Sequence, residues 1–190
     1  MFIVLLGAPG SGKGTVGKTS LIYSYLNVEV EGGYDATIED KYETSEVING
    51  QAVPIIIMDT AGEEDYQASL LDSWVNFADG IILVFAINNR ESFDLLPELH
   101  NKILEYKRHA PTPLILVGNK SDCEGEREVT KREAQSLAKN WGCEYFETSA
   151  LMKINCNPPF ITCINNTVDY LIRRQGGNPK KRRNEDGDNS

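Results

Sequence analysis

The sequence predicts an α/β domain built on a doubly wound, mostly parallel sheet. Three observations point there. Short apolar, β-branched runs recur along the chain, amphipathic stretches separate them, and the runs are almost continuously apolar, as strands covered on both faces must be. The first run, FIVLL (Phe2–Leu6), leads into a glycine-rich loop and a helix. VINGQAV carries Asn49-Gly50 at its tip, a dipeptide suited to a two-residue hairpin, and so adds one antiparallel edge strand before VPIIIM (Val53–Met58). GIILVFA (Gly80–Ala86), PLILVG (Pro113–Gly118) and YFET (Tyr145–Thr148) complete about six strands. Of about five helices, one spans about Glu91–Arg108. Another runs from Thr130, whose spacing to Glu133 makes a capping box, to about Trp141. The last begins near Asn157, where Pro158 and Pro159 fit a first turn whose amides have no intrahelical partner, and ends near Arg174.

The 190 residues suffice for one compact domain, residues 1–174, able to bury roughly 70% of its unfolded surface. From Gln175, QGGNPKKRRNEDGDNS lacks apolar periodicity and is expected to be a disordered polar tail, residues 175–190. A net charge of −9 and a pI of about 4.8 argue against a nucleic-acid partner, which selects basic surfaces. Cys123, Cys143, Cys156 and Cys163 fit neither a zinc spacing nor a dense disulfide framework, so free thiols in a reducing compartment are expected. FIVLLG after Met1 lacks the basic start of a signal peptide, and no apolar run approaches the ~20 residues of a membrane span. A soluble, cytoplasmic monomer is expected. KKRR (Lys180–Arg183) is expected to make at most weak contact with anionic lipid because NEDGD beside it offsets the charge, and with Ser190 last and no C-a-a-X cysteine, no prenyl anchor is expected. His100 and His109 read as surface residues on and just past a helix.

GAPGSGKGTVGKTS (Gly7–Ser20) holds two overlapping phosphate loops. Such a loop needs glycines so that successive N–H groups can turn toward phosphate, a lysine for the terminal phosphates, and a serine or threonine for magnesium. In the first register, Gly7–Gly12 with Lys13 follows the strand directly, but Gly14 falls at the metal-ligand position and Thr15 one place late. In the second, Gly12–Thr19 satisfies G-x-x-x-x-G-K-[ST] in full. GAPGS cannot continue a central strand, since Pro9 has no N–H for the ladder. Either it bulges above the sheet, or the first register holds the phosphate and TVGKT extends the following helix.

LLGAPGSGKGT resembles the adenylate kinase loop, whereas GKGTVGKT resembles that of Ras-type small GTPases. YDATIEDKY (Tyr34–Tyr42) resembles the Ras effector loop, with Thr37 18 residues after Thr19. DTAGEEDY (Asp59–Tyr66) resembles the second switch, with Asp59 22 residues beyond Thr37, and both intervals equal those of Ras. GNKSD (Gly118–Asp122) and ETSA (Glu147–Ala150) match the two guanine-binding loops in order. The resemblance covers about Gly12 to Arg174, and its phasing favours the second register.

It implies a nucleotide site of Gly12, Lys13, Gly14, Thr15, Val16, Gly17, Lys18, Thr19, Ser20, Tyr34, Thr37, Ala61, Gly62, Asn119, Lys120, Asp122, Ser149 and Ala150. Lys18 would neutralise β/γ-phosphate charge, and Thr19 would bind Mg²⁺ through its hydroxyl. Asp59 would hold the ion through water, and Thr37 would reach it only when a γ-phosphate draws its loop inward. Gly62 would offer its N–H to that phosphate. Asp122 would accept both the N1–H and the 2-amino hydrogen of guanine, donors that adenine lacks, so the wrong base is rejected by ~10⁴. The Ala150 amide would meet guanine O6, with Ser149 bracing the loop. Three positions depart from the Ras pattern: Leu151 replaces a lysine, Ala36 a proline, and Glu63 the glutamine that orients the attacking water.

The resemblance therefore implies a GDP/GTP switch in which Lys18, Gly62 and Glu63 serve catalysis. Hydrolysis is expected to be slow, on the order of 10⁻⁴ s⁻¹, the magnitude known for Ras itself. Effectors, an exchange factor and an activating protein would engage the switch loops. A non-hydrolysing guanine-nucleotide module and a nucleoside-monophosphate kinase using the first loop stay open.

Overall fold

The structure, a computed structural model, describes residues 1–7, 15–28, 39–60 and 68–176. Six strands form one sheet in the order β2-β3-β1-β4-β5-β6. These are β1 (Phe2–Leu6), β2 (Glu39–Ile48), β3 (Gln51–Thr60), β4 (Gly80–Ala86), β5 (Leu114–Asn119) and β6 (Glu144–Glu147). β2 pairs antiparallel with β3 around the Asn49-Gly50 turn, and every other pairing is parallel. The chain thus winds outward from β1 in both directions, which makes the carboxyl end of β1 the topological switch point.

The inner strands β1, β4 and β5 are apolar on both sides because helices cover both faces of the sheet. On one, α1 (Lys18–Leu26) and α6 (Asn157–Arg174) bury Leu21, Ile22, Phe160, Cys163 and Ile164 against Ile3, Leu5, Ile57, Ile82 and Val117. On the other, α2 (Ala68–Phe77), α3 (Arg90–Asp94), α4 (Leu96–Tyr106) and α5 (Lys131–Trp141) bury Leu71, Trp74, Phe93, Leu99 and Ala134 against Val4, Leu6, Leu83, Phe85 and Leu116. Alternate residues of β1 and β4 divide between these two cores, so β4 is buried along its whole length. Phe160 stacks on Tyr25 at 4.2 Å and couples α6 to α1.

Two expectations need correction. The helix expected over Glu91–Arg108 is two, separated at Leu95, because Pro97 has no N–H to offer the Phe93 carbonyl. With α2, for which the sequence supplied no bounds, this raises the helices to six among the described residues, besides a 3-10 turn, η1 (Ser121–Glu126). His100 is half-buried rather than a surface residue: its ring stacks on Trp141 at 4.2 Å, and burial lowers its pKa. The capping box is present as expected, with the Glu133 amide donating to Thr130 Oγ1 and the Thr130 amide donating to Glu133 Oε2. Residues 177–190 of the expected tail, and Ala8–Ser11 of the expected bulge, lie outside the described residues.

Candidate functional site

The site assembles where β1, β3, β5 and β6 end, in the crevice that open α/β sheets leave for ligands. Thr15–Gly17 are not helical, and α1 starts at Lys18. Gly17 caps it with φ +82° and ψ 35°, a left-handed backbone that disfavours side chains. A Cβ there would lie 2.6 Å from Asn119 Nδ2, so glycine is required twice over. The ladder of α1 begins with the Leu21 amide donating to the Gly17 carbonyl at 3.0 Å, so its first turn presents the positive end of a helix dipole to the crevice. The helical extension through TVGKT that the first register needs is not formed.

Lys18 is 6% exposed, and its Nζ donates to the Gly7 carbonyl at 3.2 Å. Burial pushes its ammonium down to about 8, opposed by the negative charge of Asp59. Asp59 itself is fully buried near the end of β3, and Thr19 Oγ1 donates to its Oδ2 at 2.5 Å. A hydroxyl and a carboxylate oxygen one hydrogen bond apart are the hard donors that suit Mg²⁺, and a buried ammonium beside them suits phosphate. Thr15 and Ser20 are exposed, and Val16 is buried in the core.

The second corner is centred on Asn119, the last residue of β5 and 2% exposed. Its Nδ2 donates to the Val16 carbonyl at 2.9 Å and more weakly to that of Gly17 at 3.5 Å. Its Oδ1 accepts from Thr148 Oγ1 at 3.0 Å and from the Ala150 amide at 3.2 Å. One side chain therefore ties the segment that leads into α1 to the loop after β6. Lys120 follows with φ +64° and turns the chain into η1, where the Ser121 amide donates to the Thr148 carbonyl. Asp122 Oδ1 accepts from Ser149 Oγ at 2.5 Å, and Oδ2 accepts from Cys123 Sγ at 3.6 Å. The Ser149 hydroxyl, ahead of its other contacts, holds the Asp122 carboxyl below the usual carboxylate range, so it stands ionised as an acceptor.

Of the expected site, the structure brings together Val16, Gly17, Lys18, Thr19, Asp59, Asn119, Asp122, Ser149 and Ala150. Gly12, Lys13, Gly14, Tyr34, Thr37, Ala61, Gly62 and Glu63 lie outside the described residues. Three contributors escaped the sequence. Thr148 is fully buried and braces Asn119; its place inside ETSA was the available signal. The Gly7 carbonyl holds Lys18, and Thr60 Oγ1 donates to the Leu5 carbonyl at 2.8 Å, locking the end of β3 to β1; neither has a local signature.

Fold and site together have the architecture of the P-loop class of α/β proteins. The family model described as "Ras family" matches residues 3–169. "Ras-like protein RAS2" of Hydra vulgaris is 40% identical across 78% of this chain and 77% of its own length. "Ras-related protein O-RAL" of Diplobatis ommata is 41% identical across 78% and 72%, and "Ras-like protein B" of Aspergillus fumigatus 38% across 90% and 81%. The chain belongs to the Ras family and is a Ras-type small GTPase.

Proposed function

We propose that this chain binds GDP and GTP with Mg²⁺ through the second of its two phosphate loops, hydrolyses GTP slowly, and signals to effectors through the segment around Thr37. One observation carries the reading: Asn119 bonds both to Val16, inside the second loop, and to Ala150, inside the guanine loop. A site phased on Lys13 would leave that brace without a purpose.

Lys18 would neutralise phosphate charge, and Thr19 and Thr37, with Asp59 acting through water, would hold Mg²⁺, which would supply charge neutralisation at the phosphates. Asp122 reads guanine N1–H and the 2-amino group, Ser149 keeps its carboxylate in place, and Ala150 and Lys120 border the base. Gly12 to Ser20, Tyr34, Ala61 and Gly62 are the remaining positions assigned to nucleotide binding. Gly62 donates to the γ-phosphate, so the loops around Thr37 and Gly62 are ordered by GTP and released on hydrolysis. Glu63 accepts a hydrogen bond from the attacking water but turns its charge toward the γ-phosphate, which keeps turnover slow. Glu39–Tyr42 lie in β2, at the margin of the sheet, where a charged strand faces effectors. Residues 1–174 act as one cytoplasmic, monomeric switch domain, engaged by exchange and activating proteins at the same loops.

Fluorescent nucleotide exchange with GDP, GTP and ATP in Mg²⁺ tests base, occupancy and metal dependence together. Lys18→Ala is expected to abolish GDP binding and Lys13→Ala to weaken it; the reverse order would return the site to the first register. Single-turnover hydrolysis by Glu63→Gln, with and without an activating protein, tests the water-orienting position, and unchanged rates would remove Glu63 from it.

A further inference from the structure

Arg127 forms a clamp beneath the base corner that the phosphate and guanine chemistry does not use. It caps η1, and its Nη1 and Nη2 donate to Glu147 Oε1 and Oε2 at 3.0 and 3.1 Å, a fork meeting a carboxylate. The two side chains are each 16% exposed. Nε donates to both oxygens of the exposed Glu124 at 2.9 Å, and Nη1 also donates to the Val129 carbonyl at 3.0 Å. Glu147 accepts in addition from the Tyr145 hydroxyl at 2.9 Å. Arg127 stands five positions after Asp122, and Glu147 two before Ser149.

η1 alone holds Asp122 poorly. It is a 3-10 turn, whose hydrogen bonds are weaker than those of an α-helix, and it is broken at Cys123 with φ −86° and ψ 37°. The spacing between η1 and the end of β6 is set by three ties: Ser121 to Thr148, Ser149 to Asp122, and the Arg127–Glu147 fork. The first two are single bonds. The fork fixes two distances at once and is shielded from water, so it restrains orientation as well as separation.

We propose that Arg127 and Glu147 are positioning residues for guanine recognition, holding Asp122 at the place where its carboxylate can meet the 2-amino group. The inference rests on the guanine reading above. Inosine diphosphate keeps N1–H and O6 but lacks that amino group, so the ratio of GDP to IDP affinity reports the contact that the clamp sets.

Competition against fluorescent GDP is to be run on the wild-type chain, Arg127→Ala, Arg127→Lys, Glu147→Gln and the Arg127→Ala/Glu147→Gln pair. Arg127→Ala and Glu147→Gln are each expected to cut the GDP/IDP preference about tenfold, within the coupling range of residues that share one network. Arg127→Lys keeps the charge without the fork and is expected to recover only part of the loss, and the double variant to be no worse than the worse single. A purely stabilising pair would lower the melting temperature and leave the ratio unchanged, so an unchanged ratio in folded Arg127→Lys and Glu147→Gln overturns the positioning role. A wild-type chain that binds GDP no better than IDP also overturns it, and one that binds neither overturns the guanine reading with it.

Discussion

The side-chain amide of Asn119 donates to the backbone carbonyl of Val16 at 2.9 Å, across 103 positions of sequence. The same side chain accepts from the Ala150 amide, so its loss unpairs groups in two loops at once. A buried polar group left unsatisfied costs about 1–3 kcal/mol. Asn119→Ala is therefore expected to weaken GDP binding by about 3 kcal/mol, near a hundredfold, mainly through faster release. Stopped-flow displacement of fluorescent GDP checks it. Unchanged release would mean that the loops hold each other without this brace.

The start of α5 sets an acid-dependent share of stability. Glu133 is held down to about 2, first by the Thr130 hydroxyl and then by Arg90. A carboxylate depressed in the folded state stabilises fully above its ordinary value of 4.5 and loses that contribution as pH falls toward about 2. Melting temperatures of the wild type and Glu133→Gln should differ most at neutral pH and converge in acid. Thr130→Ala, which removes the cap itself, is expected to cost about 1 kcal/mol.

Phe160 is fully buried and stacked on Tyr25, between the first helix and the last. Phe160→Ala should destabilise the domain by about 3–5 kcal/mol, the cost of a cavity left by a large aromatic. Urea unfolding measures this, with bound GDP recovering part of the loss by mass action.

Leu151 is 80% exposed beside the Ala150 amide, where Ras-type chains carry lysine. Leu151→Lys is expected to slow GDP release while changing stability by no more than about 0.5 kcal/mol, since an exposed substitution leaves the core intact. Equal release rates would show that this position does not touch the base.

The sheet was legible because β1, β4 and β5 carry their burial on their surface as unbroken apolar runs, and the Asn49-Gly50 turn announced β2 and β3. The cap of α5 was legible because Thr130 and Glu133 are local. The break at Leu95 was hidden because the apolar pattern of Phe93, Leu96, Leu99 and Ile103 continues through it and Pro97 alone marks it. Motif spacing points to Asn119 and Asp122, yet not to the bond that Asn119 makes with Val16. That bond, like Arg127 with Glu147 and His100 on Trp141, joins segments far apart in sequence, and no periodicity records such a meeting.

The ten-residue strand β2 borders the sheet and pairs with β3 on one side. Such a margin is a template on which another copy could lay its own margin and seed a fibre. Asp40, Lys41 and Glu43 are exposed along it, and the whole chain carries −9, so two copies brought edge to edge would crowd hydrated carboxylates together. Charge along the border thus disfavours its pairing with the border of a second copy.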